Sequence, residues 1–445
     1  MGSTCSAATS ASTWNENAIY ASINASHANE SDRTLDNAGH TLLADVSNFT
    51  APMPQNAPLA SYGGFIPAGL VTRVYPYALT NRQSLAVAQS YVTYAFAYQS
   101  YASAAKYPIA TADPNGGGTI YQWGPGGFDT SYATSGFHQP QFTAATSGAL
   151  FLADLGHGLL LLERAGGSYS PTAPSSPYQQ VFRGKTYLQH AEDALHWLLQ
   201  PAQIAALTGD ETNTNRTLRY ADAYLLMGKA ALNAGDTVDG CAAIAQSGTF
   251  MAKALRSACT KGSNESFWEP NGGYVAGCPA RQPAFDSSYQ GVSLMYLLWY
   301  FANMPAKGVT YPGGAIQAPA VWSAIKQGFS QEITQIQYVN AGKTHAPSPG
   351  WCYSPKNAAF KDGEVSECLN SRVQGLGCAV TPYGDAPKGE VFDGISISTA
   401  LEEYAFFPGG GNATTVNIAD QVARYYGTYN INYECASDAN QPFYL

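Results

Sequence analysis

Apolar residues recur at three- and four-residue spacing along most of this chain, and no comparable set of alternating strand-like runs interrupts them. Leu42, Leu43 and Val46 close a first short stretch. Asn81 opens a second, through Leu85, Ala88, Tyr91, Tyr94, Ala95 and Tyr98. Gln141 to Ala165 is a third, with Leu150, Leu155, Leu159 and Leu162 among its apolar positions. Phe182 to Leu207 and Asn215 to Leu232 follow as a pair around a Thr-Gly-Asp-Glu-Thr-Asn turn. Ala242 to Leu255, Asp286 to Met304, Ala318 to Ile336, Ile395 to Phe406 and Val416 to Tyr426 complete the pattern. About ten helices of this kind predict an all-α chain built from helical hairpins.

Hairpins must bury their apolar faces on one another, and no fixed repeat period of the kind a solenoid shows is present. The expected architecture is therefore an α/α toroid, or barrel, of helical hairpins with long loops. Asp286 to Met304 is the expected inner-ring helix, because Val292, Leu294, Met295, Leu297, Leu298 and Phe301 surround it nearly completely. Residues 1–30 read as an N-terminal extension and 31–445 as one toroid domain. Within it, about 340–391 forms an irregular region, read as a cap pinned by Cys352, Cys368 and Cys378. Two further loops carry aromatics among Gly and Pro. Asn115 to Phe128 holds Tyr121, Trp123 and Phe128; Ser263 to Ala284 holds Trp268 and Tyr274. Such loops favour an ordered wall or lid.

The 445 residues carry 22 basic and 31 acidic side chains, a formal charge of −9. That balance excludes nucleic acid as a partner, since phosphate neutralisation needs clustered Lys and Arg. Charged residues are 12% of the chain against roughly 25% in ordinary soluble proteins. Ser, Thr, Asn, Gln, Gly and Tyr stand in their place. No apolar run reaches the roughly 18 residues that suggest a membrane span. The first residues lack an apolar signal core and read as a mature chain whose leader has been removed. Eight cysteines without metal-type spacing favour disulfides in an oxidising compartment, and seven of them lie after residue 240, so the staples are expected in the second half. Six glycosylation sequons, beginning at Asn24, Asn29, Asn48, Asn215, Asn264 and Asn412, fit a secreted glycoprotein. A monomer is expected.

Phosphate-loop, dinucleotide-binding and zinc-protease signatures are absent, and the seven histidines show no metal-ligand spacing on one helix face. The most specific segment is Arg281-Gln-Pro-Ala-Phe-Asp286-Ser-Ser-Tyr289-Gln290. Pro283 ends a loop, Asp286 or Ser287 caps the next helix, and Tyr289 and Gln290 fall in its first turn. A plain cap and a packed aromatic explain the same residues.

The Asp286-Ser-Ser-Tyr289 string, opening an inner helix after a loop rich in Asn, Gly and aromatics, resembles segments of the α/α-toroid polysaccharide lyases, including alginate, glucuronan and hyaluronan-type lyases. The resemblance is sharp over about ten residues, with Ser287 where Gly is common. It implies β-elimination on a uronic-acid-containing glycan. That chemistry needs a cation or donor on the C5 carboxylate, a base for the C5 proton and an acid for the leaving oxygen. Tyr289 is the expected proton-transfer residue and Arg281 the carboxylate neutraliser. A tyrosine base needs nearby positive charge, because its ordinary pKa is about 10. His138, in a loop beside the Asn115 to Phe128 segment, is the expected base or its helper, with Gln139 on the carboxylate and Gln290 in substrate binding.

Arg219 and Tyr220, near the start of another helix with Arg216 and Tyr224, can grip an acidic sugar if that helix lines the cleft; a solvated helix start is the alternative. Tyr121, Trp123 and Trp268 are candidate sugar-stacking platforms. His157, between two glycines in mid-helix, reads as a buried histidine at a close-packed position. His190 and His196 read as structural, with His196 paired to Glu192. The reaction needs no cofactor and no metal, and a structural Ca²⁺ is left open.

Two other functions compete. A glycoside hydrolase on the same toroid needs two carboxylates across the cleft, for which Glu269, Asp129, Asp286 and Glu402 or Glu403 are candidates. The overall charge of −9 favours a neutral glycan and thus this reading, unless the few arginines concentrate in the cleft. A non-catalytic carbohydrate-binding protein would account for the Tyr-rich, weakly charged surface.

Overall fold

The computed structural model describes Cys5, Phe96, Gln99, and residues 144–165, 176–209, 214–255, 266–268, 274–276, 284–285 and 287–340. Toward the C-terminus it describes 401, 403–405, 407, 409–412 and 415. These residues are 75% helical. The helices are α1 (Ala144–Ala165), α2 (Tyr187–Leu198), α3 (Pro201–Gly209), α4 (Thr214–Ala234), α5 (Thr237–Ala254), α6 (Ser287–Asn303) and α7 (Ala318–Asn340). Short antiparallel strands connect them: β1 (Val181–Phe182) with β2 (Lys185–Thr186), then β3 (Ser266–Trp268), β4 (Tyr274–Ala276) and β5 (Ala284–Phe285) in one sheet, and β6 (Val309–Tyr311) with β7 (Gly314–Ile316).

The organising unit is the α4–α5 hairpin. Leaving α4, Gly235 takes φ +97°, its N–H bonds Leu232 O, and Asp236 N–H bonds Ala231 O, which closes the helix with a Schellman motif. Asp236 then caps α5, its Oδ1 accepting from Val238 N–H and Asp239 N–H, both at 3.1 Å. A two-residue connection of this kind makes the helices antiparallel neighbours.

Burial separates the helices into two kinds. In α4 the described side chains from Leu218 to Gly228 are buried all round apart from half-buried Arg219, and in α6 Ser293 to Asn303 is buried without a break. By contrast α5 buries one stripe, from Gly240 through Ile244, Ser247 and Met251 to Ala254, and α7 buries Ala318, Val321, Ala324, Ile325 and Phe329. Helices α4 and α6, covered all round over those stretches, pack on each other, and their partners α5 and α7 each show one face to solvent. Two contacts, with one electrostatic interaction between them, fix the relative direction of α4 and α6. Arg219 meets Tyr296, Asp222 acts on Tyr300, and Lys229 Nζ donates to Asn303 Oδ1 at 3.3 Å. Both residue series ascend, so α4 and α6 run parallel, as alternate helices of a hairpin array do. The all-round burial expected of Asp286 to Met304 is seen over its described side chains, from Ser293 onward.

Three expectations are corrected. Phe182 to Leu207 is not one helix: a hairpin occupies its start, Thr186 and Gln189 close a reciprocal capping box on α2, and Pro201, lacking an N–H, begins α3 afresh. Within the Ser263 to Ala284 loop lies a three-stranded sheet, with Trp268 paired to Tyr274 and Val275 to Phe285, and it packs on α4 and α6. The described disulfide joins Cys5 to Cys241 on α5, with 5.6 Å between the Cα atoms, so one staple spans both halves of the chain. The expected helices at 42–46 and 416–426, the Asn115 to Phe128 loop, the irregular region beyond Asn340 as far as 391 and the other six cysteines lie outside the described residues.

Candidate functional site

A set of buried polar groups lies where α4 and α6 pack together. Asp222 of α4 and Ser293 of α6 are wholly buried, and Ser293 Oγ has no hydrogen-bond partner among the described residues. Ser293, Tyr296 and Tyr300 follow one another at three- and four-residue intervals, so they share a face of α6. The guanidinium of Arg219 sits 4.6 Å from the centre of the Tyr296 ring. Further along, the Tyr300 hydroxyl lies 3.3 Å from Ser247 Oγ of α5. Burial pushes the Tyr300 hydroxyl well above the usual tyrosine range, and the Asp222 charge adds to that, while the Ser247 contact opposes it. These groups join a cation, a carboxylate and phenols in one low-dielectric seam, where charge acts more strongly than in water.

Tyr289 and Gln290 occupy the first turn of α6, and their side chains lie outside the described residues. Tyr289 precedes Ser293 by four positions, which puts it in register with Ser293, Tyr296 and Tyr300. Arg281, Asp286, His138, Gln139, Trp123, Tyr121, Asp129, Glu269 and Glu402 lie outside the described residues; Trp268 ends β3 with its side chain undescribed. Of the expected grip on an acidic sugar, Arg219 reaches the seam. Tyr220 instead packs edge-on against Phe250 in the core, and Arg216 is also buried. The solvated-helix-start alternative is thereby overturned. Tyr224 is likewise internal: it donates to Leu198 O at 2.8 Å, and burial raises its hydroxyl far above the ordinary value.

Of the three described histidines, His157 and His190 are packed in the interior and His196 lies exposed. His157 is buried with its ring centre 4.0 Å from that of Trp299, and a Cβ on neighbouring Gly156 would meet Leu226 Cβ and Met227 N at 3.0 Å, the close approach its glycine context suggests. His190 contacts Phe182 O through Nε2 at 2.9 Å and Gln99 Oε1 through Nδ1 at 2.5 Å. His196 pairs with Asp239 at 3.0 Å rather than with Glu192, because the α5 N-terminus approaches its exposed side.

Two residues of chemical interest escaped sequence reasoning or ranked low there. Asp222 stands inside the apolar run Tyr220 to Gly228, which was the available signal. Glu403 was one alternative carboxylate, and it is wholly buried. Among the described residues no group of His, Cys, Asp and Glu forms a metal-binding cluster. Among them, too, no helix is long and apolar enough to cross a membrane. Comparison with protein-family models, with curated proteins and with solved structures gives no match.

Proposed function

We propose that the protein is a secreted polysaccharide lyase that cleaves a uronic-acid-containing glycan by β-elimination on an α/α toroid of helical hairpins. The supporting observation is the parallel α4–α6 pair, buried over Ser293 to Asn303 of α6 and most of Leu218 to Gly228 of α4, with Arg219 set against the tyrosine stripe to which Tyr289 belongs by register. Parallel inner helices with half-exposed partners are what a hairpin toroid requires, and a cation beside tyrosines is what uronate chemistry requires.

In this mechanism Arg281 and Gln139 hold the C5 carboxylate and acidify the C5 proton. His138 removes that proton, or assists Tyr289 in doing so. The electron pair forms the C4–C5 double bond as the C4–O bond breaks, and the departing oxygen takes a proton from Tyr289. Gln290, Arg219, Tyr121, Trp123 and Trp268 contribute to glycan binding. Incubation with polygalacturonate, alginate and glucuronan tests this: an ultraviolet-absorbing unsaturated product is expected.

A glycoside hydrolase is the second reading, favoured by the wholly buried carboxylates Asp222 and Glu403. New reducing ends without unsaturated product would support it against the lyase. Retention on glycan without turnover would support the carbohydrate-binding alternative.

A further inference from the structure

The turn that leads into Asn412 is tightly built. Gly409 takes φ +78°, Gly410 N–H donates to Phe407 O at 2.8 Å, and Gly411 N–H donates to Tyr404 O at 2.9 Å. A Cβ on Gly410 would run into the Tyr404 carbonyl oxygen, and one on Gly411 would stand 2.6 Å from Thr415 Oγ1. Tyr404 and Phe407 are themselves anchored on α7. Between ring centres, Tyr404 stacks on Phe329 at 4.1 Å and Phe407 on Trp322 at 4.6 Å.

Asn412 leaves this turn exposed and opens the helical turn that holds Thr415. Its main-chain N–H donates to Thr415 Oγ1 at 3.2 Å, and its Oδ1 accepts from Thr415 N–H at 3.3 Å, the reciprocal bonds of a capping box. Thr415 is buried, so the cap is fixed from below. Asn412-Ala413-Thr414 is also an acceptor sequence for N-linked sugar, which attaches through Nδ2. The cap and the sugar therefore call on different atoms of one side chain.

We propose that Asn412 carries an N-linked glycan and that its Oδ1 keeps the helix cap beneath that glycan. In the transfer, Nδ2 bonds to the anomeric carbon of a polyprenol-diphosphate oligosaccharide. The bond from that carbon to the diphosphate breaks, the diphosphate leaves with the electron pair, and the amide nitrogen gives up one proton. One hydrogen stays on Nδ2, so the amide goes on donating afterwards. The glycan also meets a need of this surface: a chain with 12% charged residues gains hydration from a mounted sugar. The proposal rests on the secreted part of the reading above and on no step of the β-elimination.

The test expresses the full chain through a eukaryotic secretory host and recovers it from the medium. An amidase that releases N-glycans in heavy-oxygen water leaves a labelled aspartate wherever a sugar stood, and peptide mass mapping should find that label at position 412. An unlabelled Asn412 in the secreted protein overturns the proposal. Asn412→Asp loses the sugar and keeps an oxygen for the cap, whereas Asn412→Ala loses both, so its unfolding midpoint should lie below that of Asn412→Asp. Equal midpoints overturn the double role. The two readings fail separately: a glycan at Asn412 with no unsaturated product sinks the lyase and keeps this site, whereas unsaturated product from a chain unmodified at Asn412 does the reverse.

Discussion

Arg219 and Tyr296 form one link between α4 and α6: the guanidinium lies over the tyrosine ring at 4.6 Å, and a half-buried cation is thereby held at a buried phenol stripe. A contact of this kind contributes about 0.5–2 kcal/mol. A double-mutant cycle of Arg219→Gln and Tyr296→Leu, followed by urea unfolding, should give a coupling of at least about 0.5 kcal/mol. Strict additivity would show that the two side chains are neighbours without being partners.

The α4–α5 hairpin makes a sharper prediction. A Cβ on Gly228 would stand 3.0 Å from Gly240 O, and one on Gly240 would stand 2.9 Å from Gly228 O. Carbonyls cannot swing away as a side chain can, so the helices would have to separate. Gly228→Ala and Gly240→Ala should each destabilise by about 1–3 kcal/mol in urea unfolding. Val238→Ala, at an exposed site on the same helix, should stay within about 0.5 kcal/mol of wild type.

Acid should act on His190. Burial lowers its proton affinity, with Lys185 and Arg183 adding to that, and the Phe182 carbonyl and Asp193 opposing it. The folded pKa then lies below the unfolded value of about 6.5, so this contribution is complete above that pH and is lost as pH falls through the folded value. Glu192 works in the other direction. Burial, and then Asp236, Asp193 and Asp239, raise its pKa, so its protonation favours the fold as pH drops. Thermal unfolding between about pH 7 and pH 5 should give a flatter acid-side profile for His190→Gln than for wild type. An equally steep profile would assign the acid loss to other groups.

The Cys5–Cys241 bridge closes a loop with a sequence separation of 236. Removing a native disulfide typically costs about 2–5 kcal/mol. The Cys5→Ala, Cys241→Ala double variant should unfold at correspondingly lower urea concentration. A non-reducing peptide map should show the two segments joined; a different partner for Cys5 would refute the assignment.

Helices were legible wherever apolar spacing persisted, as in α4 and α6, because full burial leaves a run of apolar residues that polar loops cannot imitate. Boundaries were less legible. Phe182 to Leu207 kept helical spacing across Pro201 and across the Arg183-Gly184 turn, and the break depends on a missing N–H and a left-handed backbone rather than on hydrophobicity. Strands β3 to β5 are two or three residues long, too short for alternation to register among Gly and Pro. At the site, Arg219 was legible as a helix-borne cation, but Tyr220 was not separable from it. One position along a helix turns a side chain by about 100°, here from the α6 seam to the Phe250 packing surface. The pairing of Cys5 with Cys241 is a tertiary relationship that spacing does not encode.

The central claim is β-elimination with Tyr289 as a proton-transfer residue at the mouth of α6. Its most direct measurement is the rate at which purified wild type and Tyr289→Phe form unsaturated, ultraviolet-absorbing ends on the best polyuronate substrate, both proteins having matched unfolding midpoints. Loss of the phenol hydroxyl should lower that rate at least about 100-fold, as removal of a general acid–base group does. Wild type that yields no unsaturated product on any polyuronate, or a phenylalanine variant that retains the full rate, would contradict the account.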